Sequence, residues 1–273
     1  MYMQPANSEP QSDESAMLSR TRPIYRSRRG TSVFDDSSLS SPERFLRMAN
    51  HELRSPLTAV RVQSQLGRRY LERDDMQRAA ASLLTIEEQS FHMERMLKDL
   101  LDAAKIPHGR FTVQPVQTNL VQVCEQSIST QSAITGRNIV THLPSTPVPV
   151  TADPDALQRL FGHLLLNAAF YSTEDSPIEV ELTMVPADAR RQSRQVIVSV
   201  RDEGPGIAAD ELPTIFELFY RGCTSHGTEK SGLGVGLAIC KEIAHLHNGD
   251  VWVTSQCPGG STFFVMLPVA ISF

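Results

Sequence analysis

The fold of this chain is decided by residues 41–71, which read SPERFLRMANHELRSPLTAVRVQSQLGRRYL. The stretch opens with Ser-Pro, a favourable helix start, and its apolar residues recur at helical intervals between Phe45 and Val60. This spacing predicts one long amphipathic helix. Such a helix cannot bury its own apolar stripe, so other parts of the chain must cover it.

A second helix follows directly. After the charged break at residues 72–75, the stretch from Met76 to Ile106 repeats the helical spacing, and the sequence Pro-His-Gly at 107–109 ends it. The two helices predict a hairpin. Two helices alone cover their apolar stripes poorly, whereas two hairpins close a four-helix bundle around one core. We therefore expect a homodimer.

The composition and the pattern of apolar residues differ between the two sides of this hairpin. Residues 1–40 are rich in Ser, Pro, Asp and Arg and poor in large apolar side chains, which predicts a flexible tail. Beyond Phe111, helical and strand-like patterns alternate. The stretch TNLVQVCEQSIST, from Thr118, looks helical, and DPDALQRLFGHLLLNAAFYS opens with an Asp-Pro helix start. Two strand-like runs then predict an antiparallel hairpin, and a final strand pair ends the pattern. The sequence thus predicts a helical hairpin over 41–108 and an α+β domain over 111–273.

Composition and net charge limit the classes of function that this chain could have. The chain has 273 residues, a net charge of -5 and a pI near 5.9, so nothing in its overall charge favours nucleic-acid binding. Its four cysteines are far apart and none forms a C-x-x-C pair, which favours a reduced, cytoplasmic compartment. The longest apolar run is too short to cross a bilayer, so no membrane span is expected in this chain.

The stretch around His51 contains an unusual combination: a histidine, an acid and then a proline inside a helix. Pro56 lacks the N–H that would bond the Glu52 carbonyl, so the helix should bend just after His51 and expose the imidazole. A neutral imidazole is nucleophilic near pH 7, and Glu52 is placed to accept its ring proton or to hold its tautomer. A surface histidine beside a chance proline is the alternative for an isolated His-Glu pair.

The whole string resembles the H box of bacterial two-component sensor histidine kinases, F-x-x-x-x-S-H-E-L-R-T-P-L-T. The resemblance implies that His51 accepts the γ-phosphoryl group of ATP, that Glu52 is the base, and that Ser55 stands where a hydroxyl helps to orient water during dephosphorylation. The matching residues are Phe45, His51, Glu52, Leu53, Arg54, Pro56, Leu57 and Thr58.

The stretch LFGHLLLNAAFYS, residues 160–172, resembles the N box of the same family. His163, Asn167 and Tyr171 share one helix face, and Asn167 matches the asparagine that holds Mg²⁺, an ion that takes oxygen ligands. Two positions depart from the family pattern. His163 stands where an Asn is frequent, and Phe170 stands where a Lys or Arg helps with the phosphates, so we expect slow autophosphorylation.

Two more motifs resemble the family's nucleotide-binding boxes. In VSVRDEGPGI the acid ends a strand and a Gly-x-Gly turn follows; the resemblance implies that Asp202 accepts the adenine amino group, with Gly204 and Gly206 shaping the pocket. The stretch ELPTIFELFYRG, residues 211–222, resembles the family's Phe box, which implies that two phenylalanines, 216 and 219, anchor a mobile loop and that Arg221 points towards the phosphates.

The second glycine box precedes a predicted helix, whose N-terminus suits phosphate binding. It reads KSGLGVGL and places glycines at alternate positions: Gly232, Gly234 and Gly236. Lys230, just before them, is a candidate phosphate cation or simply a solvated lysine. The closing segment CPGGSTFFVMLP completes the family's order of motifs.

Taken together, the resemblance implies an α/β-sandwich ATP-binding domain of the Bergerat type behind a dimeric four-helix bundle. It implies an ATP- and Mg²⁺-dependent protein-histidine kinase with a response regulator as its second substrate. Two alternatives stay open: a nucleotide-gated interaction module in which little phosphate moves, and a phosphatase acting on the regulator through Glu52 and Ser55.

Overall fold

The structure is a computed structural model that describes residues 41–186, 194–222 and 233–270, with the side chains of residues 41–46, 48 and 51 excepted. The predicted flexible tail at 1–40 lies outside the described residues, as do Lys230 and Gly232. Within the described ranges, no helix is long and apolar enough to cross a membrane.

The predicted hairpin is present. Helix α1 (Ser41–Leu71) continues through Pro56, and helix α2 (Met76–Lys105) packs along it. The Thr58 hydroxyl donates to the Arg54 carbonyl at 2.8 Å, a side-chain hydrogen bond of the kind that bends helices, next to the position where the proline removes a backbone donor. Asp75 caps the start of α2 by accepting from the backbone N–H of Arg78 at 3.1 Å.

A large part of the hairpin's apolar surface is exposed in a single chain. The side chains involved are more than two-fifths exposed and come from both helices: Leu57, Val62, Leu71, Met76, Leu83, Leu84, Phe91, Leu97 and Leu101. Apolar patches of this kind mark surfaces that bind other proteins. The exposed stripe has the character that a helical bundle of two hairpins would cover.

A 3₁₀ turn (Ile106–His108) ends α2 and leads into the α+β part of the chain. Its elements run in this order: β1 (Val116–Asn119), α3 (Leu120–Thr135), β2 (Ile139–His142), β3 (Pro149–Ala152), α4 (Pro154–Tyr171), β4 (Ile178–Val185), β5 (Gln195–Asp202), α5 (Gly236–Leu246), β6 (Asp250–Ser255) and β7 (Ser261–Pro268).

The main sheet has the strand order β2-β4-β5-β7-β6. The two predicted antiparallel pairs, β4 with β5 and β6 with β7, are confirmed. Strands β2 and β4 pair in parallel, which no local pattern predicted. Helices α4 and α5 pack against each other and against this sheet, and α3 packs against α4, so helices and sheet form the predicted α/β sandwich.

One detail of the sequence interpretation is wrong. The stretch from Thr118 was expected to be helical, but Thr118 and Asn119 end strand β1, which pairs with β3, and α3 begins only at Leu120. Asn119 is the N-cap: its side-chain oxygen accepts from the backbone N–H of Val121 at 3.2 Å and of Val148 at 3.1 Å. Strand pairing overrides the helical pattern here.

Candidate functional site

Helix α4, which carries the predicted metal ligand, is fixed at its start by Asp153. The carboxylate accepts from the backbone N–H groups of Asp155 and Ala156 at 3.0 and 3.1 Å, donors that have no partner inside a helix. The backbone N–H of Asp153 donates to Nε2 of the buried His247 at 2.9 Å. The predicted Asp-Pro helix start is confirmed, and His247 acts as a structural partner.

The other end of α4 is held by Arg137, which is buried. Its guanidinium donates to the Ala169 carbonyl at 2.8 Å, to the Ser172 hydroxyl at 2.7 Å and to the carbonyls of Thr173 and Ser176 at 2.5 and 2.9 Å. The last carbonyls of a helix lack intrahelical partners, and a cation there is stabilising. Sequence reasoning missed Arg137, because its partners lie more than 30 residues away.

Between these anchors, Asn167 lies one turn before the end of α4 and is partly buried. Among the described residues, none forms a hydrogen bond with its side-chain amide. Polar groups in such positions normally have a hydrogen-bond partner. Because no described residue partners the Asn167 amide, this amide is available to a ligand. The described ranges also contain no group of three or more His, Cys, Asp or Glu residues that could hold a metal. A hard cation here would therefore depend on Asn167 and on oxygens of the nucleotide.

Asp202 ends strand β5 and its side chain is buried. Its Oδ1 accepts from the backbone N–H of Gly204 at 2.8 Å. Burial raises the pKa of this carboxyl above its ordinary value, against the opposing effect of the Gly204 and Ser261 backbone hydrogen bonds. A Cβ on Gly204 would lie 2.7 Å from Asp202 Oδ1 and 3.0 Å from the Tyr171 carbonyl oxygen, so the turn after β5 touches the end of α4.

Gly206 is required by the chain's own packing. Its φ is +77°, and a Cβ there would lie 2.0 Å from the carbonyl oxygen of Gln256 in the β6–β7 turn. Only glycine adopts this conformation without strain and leaves room for that backbone. The absence of a side chain lets the turn after β5 lie against the β6–β7 turn, and the role of Gly206 in shaping the pocket stays a prediction.

The Phe box and the second glycine box meet in space. The backbone N–H of Phe219 donates to the Gly234 carbonyl at 2.9 Å, and a Cβ on Gly234, whose φ is +62°, would lie 2.6 Å from the Tyr220 carbonyl oxygen. Phe216 packs edge-to-face on Phe263 with 6.4 Å between ring centroids. The contacts of Gly234 bring residues 219–220 close to the start of α5, and the Phe216–Phe263 contact packs the Phe box on strand β7.

Gly236, the first residue of α5, faces the N box. A Cβ at this position would lie 3.1 Å from Nδ1 of His163, one turn before Asn167 on α4. The predicted site residues 167, 202, 204, 206, 234 and 236 therefore come from three segments that converge between α4, the end of β5 and the start of α5.

Arg221 joins this site to helix α1. Its Nη1 lies 3.3 Å from Oε1 of Glu52, whose side chain is only 5% exposed. His51 precedes Glu52 in α1, and Ser55, one turn later, is exposed. The sequence interpretation placed Arg221 near the phosphates; in this structure its guanidinium contacts the predicted base. The predicted nucleotide site thus faces helix α1, which carries the predicted phosphoacceptor, through the contact between Arg221 and Glu52.

A second set of charges joins α2 to α4. Arg159 contacts Asp102 and lies 3.1 Å from Oδ1 of Asp99, which is 3.3 Å from Nε2 of His163. We call these four residues the α2–α4 clamp. All four side chains are 20% exposed or less. Burial opposes ionisation of both aspartates, yet their hydrogen-bonded neighbours, including His163, Arg159 and Lys105, outweigh it and lower both pKa values.

We predict that Arg159→Gln lowers the free energy of unfolding by about 1–3 kcal/mol at neutral pH, because two partly buried carboxylates lose the cation that contacts both of them. Since the folded-state pKa values of Asp99 and Asp102 are lowered, this contribution is present above the ordinary carboxyl pKa of about 3.9 and is lost as the pH falls through the lowered values. Urea unfolding at a series of pH values measures the difference between variant and wild type, which should shrink below about pH 4.

The matched control for this prediction is Arg201→Gln. Arg201 pairs with Glu179 at 3.5 Å, but both side chains are well exposed, so its removal should change stability little. A loss for Arg159→Gln no larger than that of the control, or one independent of pH, contradicts the buried-clamp interpretation.

With this geometry established, comparison with known proteins gives consistent matches. A model of the family described as "Histidine kinase-, DNA gyrase B-, and HSP90-like ATPase" matches residues 152–271, and one described as "His Kinase A (phospho-acceptor) domain" matches residues 42–109. The first range contains the α4, β5 and α5 segments of the site, and the second contains the hairpin.

Curated relatives agree with these models. The chain is 30% identical over 242 residues to the adaptive-response sensory kinase SasA of Gloeothece citriformis, covering 83% of this chain and 58% of the relative. It is 30% identical over 229 residues to the probable sensor histidine kinase TcrY of Mycobacterium tuberculosis, covering 82% of this chain and 45% of the relative. The chain therefore spans about half the length of these relatives.

Solved structures support the fold. A full-length structure of ShkA in complex with AMPPNP superposes with a TM-score of 0.56 at 22% identity, covering 85% of this chain and 47% of that one. The Acinetobacter baumannii histidine kinase AdeS superposes with a TM-score of 0.55 at 20% identity, covering 81% of this chain and 98% of that one. At these identities the likeness concerns the arrangement of helices and strands.

Proposed function

This chain belongs to the two-component sensor histidine kinases, and from that premise we propose that it transfers the γ-phosphoryl group of ATP to its own His51 and then to an aspartate of a response regulator. The observation that carries the proposal is the contact between Arg221 and Glu52, because it places the edge of the nucleotide-type site beside the residue that follows His51. Residues 41–108 would serve as the dimerisation and phosphoacceptor domain, and residues 111–273 as the ATP-binding domain.

The donor half of the reaction depends on residues that hold ATP. We assign the adenine amino group to Asp202, whose buried carboxylate can accept a directional hydrogen bond. Asn167 fits Mg²⁺, since its half-buried amide has no partner among the described residues and offers a hard oxygen. Bound Mg²⁺ would supply charge neutralisation on the phosphates. The N-terminus of α5 after Gly234 provides backbone donors for the same anionic group.

The acceptor half rests on α1. A ring nitrogen of His51 is the nucleophile, and Glu52 accepts the ring proton or holds the tautomer. Glu52 is held in place by the Arg221 guanidinium, so the base is positioned by the domain that binds the nucleotide. Lys230 and Gly232 keep their proposed phosphate-binding roles as sequence-based assignments, since both lie outside the described residues.

The proposal is tested by incubating the chain with γ-labelled ATP and Mg²⁺. A phosphorus–nitrogen bond on histidine is acid-labile and alkali-stable, so we expect label with that stability to appear on the protein. ATP binding without any such label would contradict the kinase proposal and would favour the alternative, a nucleotide-gated interaction module. Label stable to acid would point to a hydroxyl acceptor instead.

The partners follow from the same proposal. We propose a homodimer formed through the exposed apolar stripe of α1 and α2, and a receiver domain with an acceptor aspartate as the second substrate. We also propose a reducing compartment, because Cys124, Cys240 and Cys257 are all free thiols. Burial raises the pKa of the Cys124 thiol to about 12, which makes that group unreactive.

Removal of phosphate from the regulator is a second candidate function. Ser55 is exposed one turn after His51, so its hydroxyl is accessible to water on the face where a phosphorylated aspartate would dock. The test is to mix the protein with a phosphorylated receiver domain and ADP. Faster loss of phosphate than for the receiver alone, abolished by Ser55→Ala, supports this activity; equal rates with wild type and variant contradict it.

We predict that Phe170→Lys raises the autophosphorylation rate by up to about tenfold, since a cation near the transferring group stabilises its negative charge. Phe170 is 48% exposed at the end of α4 and its ring contacts Tyr171 edge-on at 5.3 Å, so a longer polar side chain fits without disturbing the core. Single-turnover labelling measures the effect. Phe170→Leu is the control without charge, and equal rates for both variants would mean that another cation already performs this role.

A further inference from the structure

The imidazole of His163 lies between the hairpin and the start of helix α5. On one side, its Nε2 is 3.3 Å from Oδ1 of Asp99 in α2. On the other side, its Nδ1 would be 3.1 Å from a Cβ placed on Gly236, the first residue of α5. The side chain is only 17% exposed, so the ring is largely shielded from water. The two ring nitrogens therefore face different parts of the molecule.

The contact with Asp99 fixes which ring nitrogen carries the proton. Burial opposes ionisation of Asp99, but its hydrogen bonds and charge interactions with His163 and Arg159 outweigh burial and lower its pKa. An ionised carboxylate only accepts hydrogen bonds, so Nε2 of His163 donates to it. In the neutral ring, the lone pair is then on Nδ1, on the side of α5. Histidines that bind metal ions have this arrangement, with one nitrogen held by a carboxylate and the other on the metal.

Asn167 lies on the same face of α4, one turn after His163. Side chains at positions i and i+4 of a helix are neighbours, and two histidines at this spacing can bind one metal ion. Among the residues that the structure describes, neither the Asn167 amide nor Nδ1 of His163 has a hydrogen-bond partner. Helix α4 thus presents an amide oxygen and a ring nitrogen as neighbouring ligand atoms.

The space in front of Nδ1 suits a metal ion that is also bound to phosphate. A side chain at position 236 would press on the ring, and Gly236 leaves that space open. Val235 occupies the N-cap position of α5, and its side chain cannot accept a hydrogen bond, so the first backbone N–H groups of the helix are left for an anion. A cation held on α4 at this point would face phosphate oxygens held by α5.

A purely structural role for His163 explains only half of this arrangement. Arg159 already pairs with Asp99 and contacts Asp102, so the α2–α4 clamp has a permanent cation without the imidazole. The structural role also gives Nδ1 nothing to bind. The two roles therefore differ in what happens at Nδ1 when the nucleotide site is filled, and this difference can be measured.

We propose that Nδ1 of His163 is a further ligand of the divalent cation that accompanies ATP, beside Asn167, and that Asp99 positions the ring for it. This inference rests on the proposed function, since it concerns the same nucleotide site. Mg²⁺ prefers oxygen ligands and gains little from an imidazole, whereas first-row transition ions bind imidazole more tightly. The site therefore favours ions such as Co²⁺ over Mg²⁺ more strongly than it would with an asparagine at position 163.

Nucleotide binding without turnover tests the proposal. The full chain is titrated by calorimetry with a non-hydrolysable ATP analogue loaded with Mg²⁺ or with Co²⁺, as wild type and as His163→Asn, which replaces the ring nitrogen by an amide. We expect the ratio of the Mg²⁺ to the Co²⁺ dissociation constant to fall by about tenfold or more in the variant. An unchanged ratio would overturn the proposal.

Pulsed electron paramagnetic resonance of bound Mn²⁺ reads the ligand directly. The Mn²⁺-loaded analogue is bound to protein whose histidines carry ¹⁵N, because a nitrogen bonded to the metal gives a hyperfine coupling that changes with the isotope. We expect this isotope-sensitive coupling in the wild type and its loss in His163→Asn. A wild-type spectrum without it would refute the ligand role. Coupling that persists in the variant would also refute it, by assigning the ligand to another histidine.

Two variants of the α2–α4 clamp separate positioning from stability. Asp99→Ala removes the carboxylate that holds Nε2 of His163, so we expect the preference for Co²⁺ to fall by about tenfold. Arg159→Gln leaves the pair of Asp99 and His163 in place, so it should keep the preference although it lowers stability. A preference that falls with the melting temperature in both variants would contradict the positioning role of Asp99.

The proposed function and this inference fail in different ways. If the wild type binds neither loaded analogue, the assignment of the ATP site is wrong and the inference falls with it. If the wild type binds the Mg²⁺-loaded analogue and labels itself with ATP, but its metal preference equals that of His163→Asn, the kinase proposal stands and the metal role of His163 is refuted.

Discussion

Replacing His51 by Gln is expected to abolish the acid-labile label, a loss on the order of 10³-fold or more, because the imidazole is the proposed nucleophile and glutamine offers no comparable nitrogen. ATP binding should be unchanged, because the predicted nucleotide ligands lie on α4, β5 and α5 and not on α1. Labelling with γ-labelled ATP, together with a nucleotide-binding titration, separates the two effects.

The matched control for this substitution is His142→Gln. His142 is an exposed residue of the edge strand β2 and lies outside every motif of the site. It should label like the wild type. Undiminished label on His51→Gln would move the acceptor to another residue, and loss of label on both variants would indicate a general effect on folding.

Replacing Asn167 by Ala is expected to lower the autophosphorylation rate by about 10²–10³-fold, because Mg²⁺ would lose its proposed protein ligand and the phosphates would lose their alignment. Stability should change little. The amide forms no hydrogen bond with another described residue, so its removal leaves no buried partner unsatisfied. Single-turnover labelling across a range of Mg²⁺ concentrations, together with thermal unfolding, measures both quantities.

Asn167→Asp is the informative companion, since it keeps an oxygen at the same position. It should retain more activity than Asn167→Ala and respond differently to Mg²⁺ concentration. Equal rates for the alanine variant and the wild type would remove Asn167 from the metal site. A large drop in melting temperature for Asn167→Ala would assign the residue a structural role.

Much of the fold could be predicted from local patterns. The hairpin followed from apolar spacing over residues 41–71 and from the Pro-His-Gly stop after Ile106, because a helix repeats its buried face every three to four residues. The antiparallel pairs β4–β5 and β6–β7 followed from short strand-like runs close together in the chain. Helix α4 followed from its Asp-Pro start, which the Asp153 cap explains.

Several features of the site could not be predicted in this way. Arg137 anchors α4 through partners 32 to 39 residues away, and nothing near it in the sequence resembles a cap. The parallel pairing of β2 with β4 depends on a crossover whose length and packing are set by the intervening strand β3 and helix α4. The helical pattern at Thr118 was overridden, because pairing with β3 satisfies its backbone.

The sequence by itself identified the candidate residues of the proposed chemistry: His51 and Glu52 before a helical proline, Asn167 on α4, and Asp202 with the two glycine turns. Local spacing suffices there, because each motif acts within a few residues. Only the tertiary structure decided which surfaces meet. Arg221 lies 169 residues from Glu52, and Arg159 lies 57 and 60 residues from its two carboxylates. Contacts at such separations depend on how helices pack around one core, and no local pattern carries that information.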